Sequence, residues 1–536
     1  MTARHAIAQL RLPAQRELVR AAASVLAGVA VWMAFPPLNV WPLAIAGVAG
    51  FTLVVRGVRP RFCLVLGLLF GLGMFVPMLS FLRGLGWDAW LVLAVGESLW
   101  FALLAVAVRF VQRFPAWPLA VALLWVAQEW ARDRVPFHGF PWGRLAFSQT
   151  HGPLLPLAAL GGAVLMTFTA ALVAACLAAL ATRPTLAAIA TAAVVLGASL
   201  GGAAAVSTPT AGTTTGGASH AVVALVQGNV PRLGLDEFAQ RRAVTANHLA
   251  ETQALAADVA AGRVPKPDIV IWPENATDDD PTTDPVAGSM VETAVRAIGV
   301  PVLVGAILDG PGPDHVRNAG VVWSPTTGPG EIYVKRHLVP FGEYLPFRSV
   351  LGHLIGRFSL IPRDFAPGHT PGVLHVGPVE LADVICFEVA DDDVVRQAVT
   401  GGGRLIAVQT NNATYERIGD TGNGGETAQQ LEISRLRAVE HGRAVVVAAT
   451  SGVSAVIAPN GEVLARSGVF RPARLVADVP LRDPRTVADR IGGWPEHALA
   501  AAGLLWLALT VWLSRRRRPA VEEPDASTEP ELARTP

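Results

Sequence analysis

Eight apolar runs separated by short arginine-bearing segments constrain the fold of this chain more than any other feature. Seven runs precede residue 207, and the eighth lies near residue 500. A helix needs about 20 apolar residues to cross the hydrocarbon core of a bilayer, and several runs approach that length. The sequence therefore predicts a polytopic helical membrane region. The predicted spans are about 18–35, 42–55, 63–82, 89–108, 117–131, 154–182, 185–206 and 498–514.

Composition supports this class of protein. The chain has 536 residues, of which 52% are hydrophobic and only 16% are charged, and its mean hydropathy is +0.42. Such a chain is too apolar for an ordinary soluble enzyme and long enough for more than one domain. The formal net charge is +1, so the chain lacks the overall excess of basic residues that would indicate a nucleic-acid partner.

The arginines predict the orientation of the spans, because cytoplasmic loops of membrane proteins retain positive charge. With the N-terminus inside, fourteen arginines fall on the cytoplasmic side and four in the short outer loops. Both termini would then be cytoplasmic, and the segment after the seventh span would be extracytoplasmic. No small-residue cleavage site follows the first run, which predicts a retained helix rather than a signal peptide. The inner arginines are Arg4, Arg11, Arg16, Arg20, Arg56, Arg59, Arg61, Arg109, Arg113, Arg183 and Arg515 to Arg518; the outer ones are Arg83, Arg132, Arg134 and Arg144.

After residue 206 the composition changes abruptly. A Ser/Thr/Gly-rich stretch predicts a linker, and short β-branched runs bounded by turn residues predict buried strands. A helical pattern at 425–443 lies between two of them and indicates a layered α/β domain. The predicted strands are 221–229, 267–275, 301–308, 380–388, 404–412 and 442–452. The predicted units are a membrane region at 1–206 with seven helices, a linker at 207–219, an α/β domain at 220–490, the eighth helix at 498–514, and a basic stop with a disordered tail at 515–536.

The α/β domain contains a single cysteine. Cys63 and Cys176 fall inside predicted spans, so Cys386 has no disulfide partner in its own compartment. A lone cysteine is more often a small buried apolar residue than a nucleophile. Cys386 follows the strand-like run "ADVI" and precedes a glutamate, and this position is the reason to consider it as a nucleophile.

Three strand-like runs lead into residues with catalytic chemistry. "IVIWPEN" leads to Glu274, "EIYVKRHLVPFGEYLP" contains Lys335 and Glu343, and "ADVICFE" contains Cys386. A thiol must lose its proton to attack a carbonyl, a carboxylate can take that proton, and an ammonium can stabilise the oxyanion. Each residue alone is usually a solvated or structural group. Their common placement after strands predicts one active site.

These residues resemble the nitrilase or carbon–nitrogen hydrolase superfamily, whose fold is an αββα sandwich with a Glu-Lys-Cys triad. Four further features make the resemblance more specific than the superfamily. They are "VALVQGNVP" (223–231), "LVPFGE", the loop "FHGFPWGRLAFSQ" (137–149) and the eight-span pattern. Together they are similar to the apolipoprotein N-acyltransferase family, over nearly the whole chain. The resemblance implies a membrane region of about eight spans plus an extracytoplasmic nitrilase-like domain in a bacterial inner membrane.

The resemblance also implies the roles of individual residues. Cys386 would accept an acyl chain from a glycerophospholipid as a thioester, and Glu274 would be general base for the thiol and then for the amine. Lys335 would stabilise the tetrahedral intermediate with the backbone N–H of Phe387, while Glu343 and Glu388 would be additional active-site residues. The acceptor would be the α-amino group of a diacylglyceryl-cysteine on an apolipoprotein. No metal or dissociable cofactor is implied, and a monomer is expected.

The chain departs from the family pattern at three places. Phe387 follows the nucleophile where many members have Tyr. Leu233 and Leu235 stand where a Trp is often found after "QGN", and "ATYERIGDTGNG" at 413–424 lacks a Trp-Phe pair. These departures affect contacts to the substrate rather than the triad.

Four polar or aromatic residues near the predicted spans have two interpretations each. Glu97 and Glu129 could form a polar pocket for a lipid headgroup. Alternatively, they could be carboxyl groups between helices that are neutral or paired with other residues, and this structural interpretation is favoured. Trp142 and Arg144, in an outer loop, are predicted to contact lipid. An interfacial aromatic anchor explains Trp142 almost equally well.

Three alternatives to the acyltransferase remain on sequence alone. A membrane-tethered nitrilase-like amidohydrolase would use the same triad with water as acceptor, although one span would suffice to tether it. A noncatalytic scaffold would be expected to lack a triad member, and none is missing. A Cys-His hydrolase using His337 or His375 is less favoured, because His337 lies in a loop-like segment close to Lys335.

Overall fold

The computed structural model describes residues 3–205, 219–230, 241–349, 363–416 and 424–516. Most of the predicted linker and of the predicted tail lies outside the described residues, as do Leu233 and Leu235. The described chain forms a helical region, built from its first seven helices and its last, and an α/β domain between them. The helices of the helical region are α1 (Ala3–Trp32), α2 (Pro42–Val54), α3 (Pro60–Met78), α4 (Trp87–Val111), α5 (Trp117–Arg132), α6 (Ala158–Thr182), α7 (Leu186–Ala205) and, after five helices of the α/β domain, α13 (Trp494–Arg516).

A helix coincides with each of the eight apolar runs. Four stretches of the described chain are long and apolar enough to cross a membrane, namely Pro60–Met78, Trp87–Val111, Leu155–Thr182 and Trp494–Arg516. Prolines stand in the first turn of α2, α3 and α5, where the missing N–H removes no intrahelical hydrogen bond. The predicted helical nature of this region is therefore confirmed, and the helices are those expected of an integral membrane protein.

Aromatic packing and one close helix crossing form the centre of the helical region. The rings of Phe51, Phe70 and Phe101 follow one another at centroid distances of 4.5 and 5.1 Å. A Cβ added at Gly67 of α3 would collide with the backbone of Phe101 and Ala102 in α4. The small residue therefore permits α3 and α4 to approach closely, as small residues do between membrane helices.

The carboxylates of Glu97 and Glu129 have partners between the helices. Glu97 Oε2 lies 3.2 Å from Arg132 Nη1, and both side chains are buried. Glu129 accepts hydrogen bonds from the Trp125 indole, the Leu145 backbone and the Thr167 hydroxyl at 2.8–3.2 Å. The favoured interpretation of Glu97 and Glu129, as satisfied groups between helices, is confirmed.

The α/β domain is a sandwich of two sheets with helices on its outer faces. Within the described residues the first sheet has the order β13-β1-β2-β3-β4-β5, with β6 beside β4, and the second has the order β12-β11-β10-β9-β8-β7. The strands are β1 (His220–Gln227), β2 (Ile269–Ile271), β3 (Val302–Asp309), β4 (His315–Ser324), β5 (Gly328–Val334), β6 (Asp364–Phe365), β7 (Val373–Val376), β8 (Val379–Ile385), β9 (Leu405–Thr410), β10 (Val445–Ala449), β11 (Ala455–Ile457), β12 (Val463–Arg466) and β13 (Ala473–Pro480). The helices are α8 (Arg241–Ala260), α9 (Pro285–Ile298), α10 (Asp392–Thr400), α11 (Gly425–His441) and α12 (Val487–Ile491).

Three apolar layers stabilise this sandwich. The central layer joins the facing sides of the two sheets, with residues such as Leu225, Ile271 and Val446. The outer face of the first sheet packs on α8 and α9, while that of the second packs on α10 and α11 in an apolar cluster continuous with the helical region. The predicted αββα architecture is confirmed.

The strand directions bring several strand ends to one edge. Strands β1, β2 and β3 are parallel in the first sheet, and β8, β9 and β10 are parallel in the second. Two antiparallel steps, from β3 to β4 and from β4 to β5, give β5 the direction of β3. The carboxyl ends of β2, β5, β8 and β9 consequently meet, as in many α/β enzymes whose sites lie at such ends.

Candidate active site

Glu274 lies just beyond β2, where its carboxylate is fixed from three sides. Its Oε1 accepts hydrogen bonds from Asn318 Nδ2 at 2.7 Å and Lys335 Nζ at 3.3 Å. Its Oε2 accepts one from the backbone N–H of Asn411 at 2.8 Å. These donors hold a buried carboxylate in one orientation, as a general base requires.

Lys335 follows β5 directly and is 1% exposed. Its Nζ lies 2.9 Å from Glu343 Oε1 and 3.3 Å from Glu274 Oε1. Burial alone would lower the pKa of Lys335, but the carboxylates of Glu343 and Glu274 outweigh it and hold the pKa well above its ordinary value. Lys335 is therefore a fixed positive charge in the site.

Cys386 is presented by a sharp turn between β8 and a short 3-10 helix, Cys386–Ala390. Its φ is +55°, a left-handed conformation that costs a non-glycine residue roughly 1–3 kcal/mol. Such a turn projects the side chain away from the strand, as the nucleophile turn of other hydrolases does. Its Sγ accepts contacts from Thr410 Oγ1 at 3.4 Å and Gln430 Nε2 at 3.8 Å.

The thiol of Cys386 is protonated at rest. Burial raises its pKa well above the ordinary value, and the Glu274 carboxylate raises it further, whereas Lys335 and the Thr410 hydroxyl lower it. The site therefore does not store a thiolate. A thiol with a raised pKa can act as a nucleophile only with the help of a base, and Glu274 is the nearby carboxylate that could serve as one.

Glu343 and Asn318 complete the polar cluster. Asn318 lies on β4, and its Nδ2 donates to Glu274 Oε1 at 2.7 Å and to Glu343 Oε1 at 3.0 Å. The other oxygen of Glu343 accepts from the Val339 backbone at 2.8 Å. Sequence reasoning identified Glu343 but missed Asn318, whose strand carries no local catalytic signal.

Glu388 is fully buried and connects the turn of Cys386 to the segment after Lys335. Its carboxylate accepts hydrogen bonds from the Tyr333 hydroxyl and from the backbone N–H groups of Arg336, His337 and Ile385, at 2.7–3.0 Å. The two strand ends that carry the ammonium and the thiol are thereby fixed to one another. Glu388 is a positioning residue in this geometry.

Phe387 stacks on two aromatic side chains from the helical region. Its ring lies 5.8 Å from Trp142 at an interplanar angle of 9°, and 5.7 Å from Phe140 at 20°. The Trp142 indole also donates to Gln429 Oε1 at 2.7 Å. Trp142 and Arg144 are 3% and 2% exposed, so their partners here are protein groups, and lipid contact by either stays a prediction.

Four polar residues near the sulfur were not identified from the sequence. Thr410 and Gln430 contact Sγ, Asn412 donates to both Thr410 and Gln430 at 3.3 Å, and it also bonds to Glu426. Burial raises the pKa of Glu426 to about 8; the Asn412 hydrogen bond lowers it, while nearby carboxylates raise it. Glu426 is therefore mainly neutral at pH 7.

The two histidines considered for a Cys-His pair have carboxylate partners. His337 Nδ1 lies 2.8 Å from Asp391 Oδ2, and His375 Nδ1 lies 3.1 Å from Glu331 Oε1. His375 is largely exposed, on β7. This geometry favours Glu274 as the base. Within the described residues, no group of three His, Cys, Asp or Glu side chains is arranged to hold a metal ion.

Comparison with known proteins agrees with these features. A family model described as "Apolipoprotein N-acyltransferase N-terminal domain" matches residues 27–176, and one described as "Carbon-nitrogen hydrolase" matches residues 222–489. An apolipoprotein N-acyltransferase from Mycolicibacterium smegmatis is 41% identical over 518 residues, covering 93% of this chain and 86% of the relative. One from Pseudomonas putida is 29% identical and covers 90% and 95%. The crystal structure of an amidase from Nesterenkonia sp. is 21% identical with a TM-score of 0.37, covering 54% of this chain and 99% of that structure.

The sandwich and its cluster of Glu, Lys and Cys define a member of the carbon–nitrogen hydrolase superfamily joined to a membrane-type helical region. The chain belongs to the apolipoprotein N-acyltransferase family. It is therefore an acyltransferase of lipoprotein maturation, and the predicted family and enzyme class are confirmed.

Proposed function

We propose that this protein moves a fatty acyl chain from a membrane glycerophospholipid, through a thioester on Cys386, to the N-terminal amine of a diacylglyceryl-cysteine on an apolipoprotein. The observation that carries the proposal is the convergence of Glu274, Lys335 and Cys386 beside aromatic residues of the helical region. A thiol held there can meet a lipid ester that is still anchored in the bilayer.

In the first half-reaction Cys386 attacks the ester carbonyl of the phospholipid. Glu274 takes the thiol proton as the S–C bond forms, and Lys335 with the backbone N–H of Phe387 stabilises the oxyanion. The C–O bond then breaks, and the leaving alkoxide recovers the proton from Glu274 as a lysophospholipid. Because the resting thiol has a raised pKa, attack without this base would be slow.

In the second half-reaction the amine of the apolipoprotein attacks the thioester carbonyl. Glu274 takes a proton from the attacking nitrogen, the C–S bond breaks, and the thiolate of Cys386 is protonated again. The product is an amide, and the overall kinetics are ping-pong because the lysophospholipid leaves before the amine reacts. Glu343 and Asn318 hold Lys335 and Glu274 in place through both steps.

The membrane arrangement belongs to the same proposal. Eight crossings, with both termini in the cytoplasm of a bacterial cell and the α/β domain on the outer face, fit the arginine distribution. That side is where the predicted lipid-modified acceptors would be found. A monomer suffices, since every proposed catalytic group comes from this one chain.

The test is the intact mass of purified protein in detergent with phosphatidylethanolamine. We expect an acyl adduct that hydroxylamine removes and that a diacylglyceryl-cysteine peptide discharges. Cys386→Ala should abolish it, whereas Cys176→Ala, which removes a buried thiol of α6, should retain it. An adduct that only water discharges would indicate a lipid hydrolase. No adduct on folded protein, with turnover of small amides, would indicate the amidohydrolase.

A further inference from the structure

Arg144 lies between α5 and α6 and joins four acidic side chains through one buried guanidinium. Its Nη1 donates to Asp392 Oδ2 at 2.8 Å. Its Nε lies 3.4 Å from Asp133 and 3.6 Å from Glu129, both at the end of α5. Its Nη2 lies 3.7 Å from Glu496 in the first turn of α13. A single side chain of the helical region thus reaches the α/β domain at Asp392.

Asp392 begins α10 and is separated from the short helix of Cys386 only by Asp391. Its Oδ1 lies 2.6 Å from Arg437 Nη2 on α11. Arg437 also donates from Nε to the Val389 carbonyl at 2.8 Å and from Nη2 to the Ala390 carbonyl at 2.9 Å. Asp392 and Arg437 therefore fix the end of the short helix whose first residue is the nucleophile.

The charges explain why this connection is specific. Burial would raise the pKa of Asp392, but the guanidinium groups of Arg144 and Arg437 outweigh it and hold the pKa below its ordinary value. Asp392 is consequently an ion paired with two arginines, one from each part of the molecule. A buried ion pair of this kind has few alternative arrangements, because moving either partner leaves a charge uncompensated. The five-donor, planar guanidinium can also serve several carboxylates at once.

We propose that Arg144 is a positioning residue for Cys386, acting through Asp392 so that the nucleophile is aligned only when the helical region is packed on the α/β domain. The inference rests on the proposed role of Cys386 as nucleophile. Arg144 touches neither the sulfur nor any group of the Glu274 cluster, and its effect is transmitted along Asp392, Arg437 and the short helix.

The test compares Arg144→Gln, Asp392→Asn and the double variant by two measurements. The first is the rate of iodoacetamide alkylation of Cys386 in detergent without lipid, followed by peptide mass spectrometry. The second is the rate of acyl-enzyme formation against phosphatidylethanolamine concentration. Each single variant should slow alkylation and the maximal acylation rate by about tenfold or more, with the half-saturating lipid concentration unchanged. The double variant should be no slower than the slower single, because both changes break one link.

Arg134→Gln is the matched control. Arg134 pairs with Glu496 at 2.6 Å but is not bonded to Asp392, so its loss should leave both rates unchanged. Thermal unfolding identifies variants that do not fold. Asp392→Asn preserves the shape of the side chain, so it is the variant for which a failure to fold is least expected. Alkylation at the wild-type rate in folded Asp392→Asn protein, or additive losses in the double variant, would overturn the proposal. A role in folding alone would lower the unfolding temperature without changing either rate.

Alkylation needs no acyl donor, so failure of this inference is distinguishable from failure of the proposed function. If wild-type Cys386 reacts with iodoacetamide but forms no acyl-enzyme, the proposed function fails. If wild-type protein forms the acyl-enzyme and the variants match it, only the positioning role fails.

Discussion

Glu388 joins the segment after β5 to the turn of Cys386 through buried hydrogen bonds. Replacing it by Gln puts an NH₂ group where a carboxylate oxygen now accepts only N–H and O–H donors. A buried donor left facing a donor costs about 1–3 kcal/mol, and more where a charged acceptor is lost. We expect Glu388→Gln to lower acylation of Cys386 at least about tenfold and to lower the unfolding temperature.

Glu380→Gln is the control for this prediction, because Glu380 lies on β8, the strand before the short helix of Glu388, is partly exposed and lies 3.5 Å from Arg404. Its loss should change neither quantity. The measurements are the initial rate of thioester formation and the thermal unfolding midpoint. Equal behaviour of the two variants would contradict a positioning role for Glu388.

Glu426 gives a pH prediction. In the folded protein the Glu426 carboxyl has a pKa of about 8, whereas in the unfolded chain it loses its proton near pH 4 to 5. Between these values the folded state binds more protons than the unfolded state, so this residue's contribution to stability falls as pH rises. Glu426→Gln stays neutral throughout. The unfolding temperature of Glu426→Gln, measured relative to that of wild type, should therefore be higher at pH 8 than at pH 5. If the difference in unfolding temperature between the two proteins is the same at both pH values, the shifted pKa is contradicted.

The sequence predicted that Glu274, Lys335 and Cys386 come together, but it did not predict the residues that hold them. Glu274, Lys335 and Cys386 each follow a recognisable strand-like run, and matching a family pattern is enough to find them. Asn318 acts from β4 within the first sheet, and Thr410 acts from β9, the neighbour of β8 in the second sheet. Gln430 acts from a helix 44 residues away from the cysteine in sequence. Nothing local marks such residues, because their partners become neighbours only when the strands pair and the helix packs on the sheet.

Among the elements, most of the predicted strands are buried on both faces, whereas the largely buried β4, the buried β11 and half-exposed strands such as β12 were missed. Strands β9 and β10 are buried at every position and appear in the sequence as continuous apolar runs. Strand β12 alternates between partly buried and exposed residues, β13 is mostly partly buried, and both include charged side chains. Helix α11 was predicted because it is long, although it is buried nearly all round, between the second sheet and the helical region.

Helix α6 contains an interruption that its apolar sequence does not reveal. Gly162 has a φ of +67°, and a Cβ there would collide with the carboxylate of Glu440 on α11. Gly162→Ala should therefore destabilise the protein by about 1–3 kcal/mol, because both the backbone conformation and the contact with α11 oppose a side chain. Gly197→Ala in α7, where the added methyl meets no atom, should leave the unfolding temperature unchanged or higher. Thermal unfolding in detergent measures both, and equal effects would contradict this account of the interruption.

At the level of the whole molecule, the helical region and the sandwich meet at the turn that carries Cys386, the proposed nucleophile. Trp142 and Phe140 stack on Phe387, and Arg144 reaches Asp392, from one segment between α5 and α6. The sequence indicated that this segment is special but assigned its residues to lipid, because an outer-loop Trp and Arg are typical of a membrane interface. The packed structure adds contacts of this segment with the α/β domain that the sequence did not predict, while lipid contact by Trp142 and Arg144 stays a prediction.

The proposed orientation makes opposite predictions for two single-cysteine variants built on Cys386→Ala. Ala297→Cys lies on an exposed position of α9 in the sandwich, and Ala181→Cys lies at the exposed end of α6 beside Arg183. A membrane-impermeant maleimide should label Cys at 297 in intact spheroplasts, and should label Cys at 181 only after lysis, because the arginine bias places the two sites on opposite faces. The parent with only its buried cysteines at 63 and 176 should stay unlabelled. Labelling of both positions before lysis, or protection of both, would mean that the number of crossings between them is even rather than odd. Labelling of position 181 alone before lysis would mean that the orientation is inverted. Any of these results would require the eight-span orientation to be abandoned.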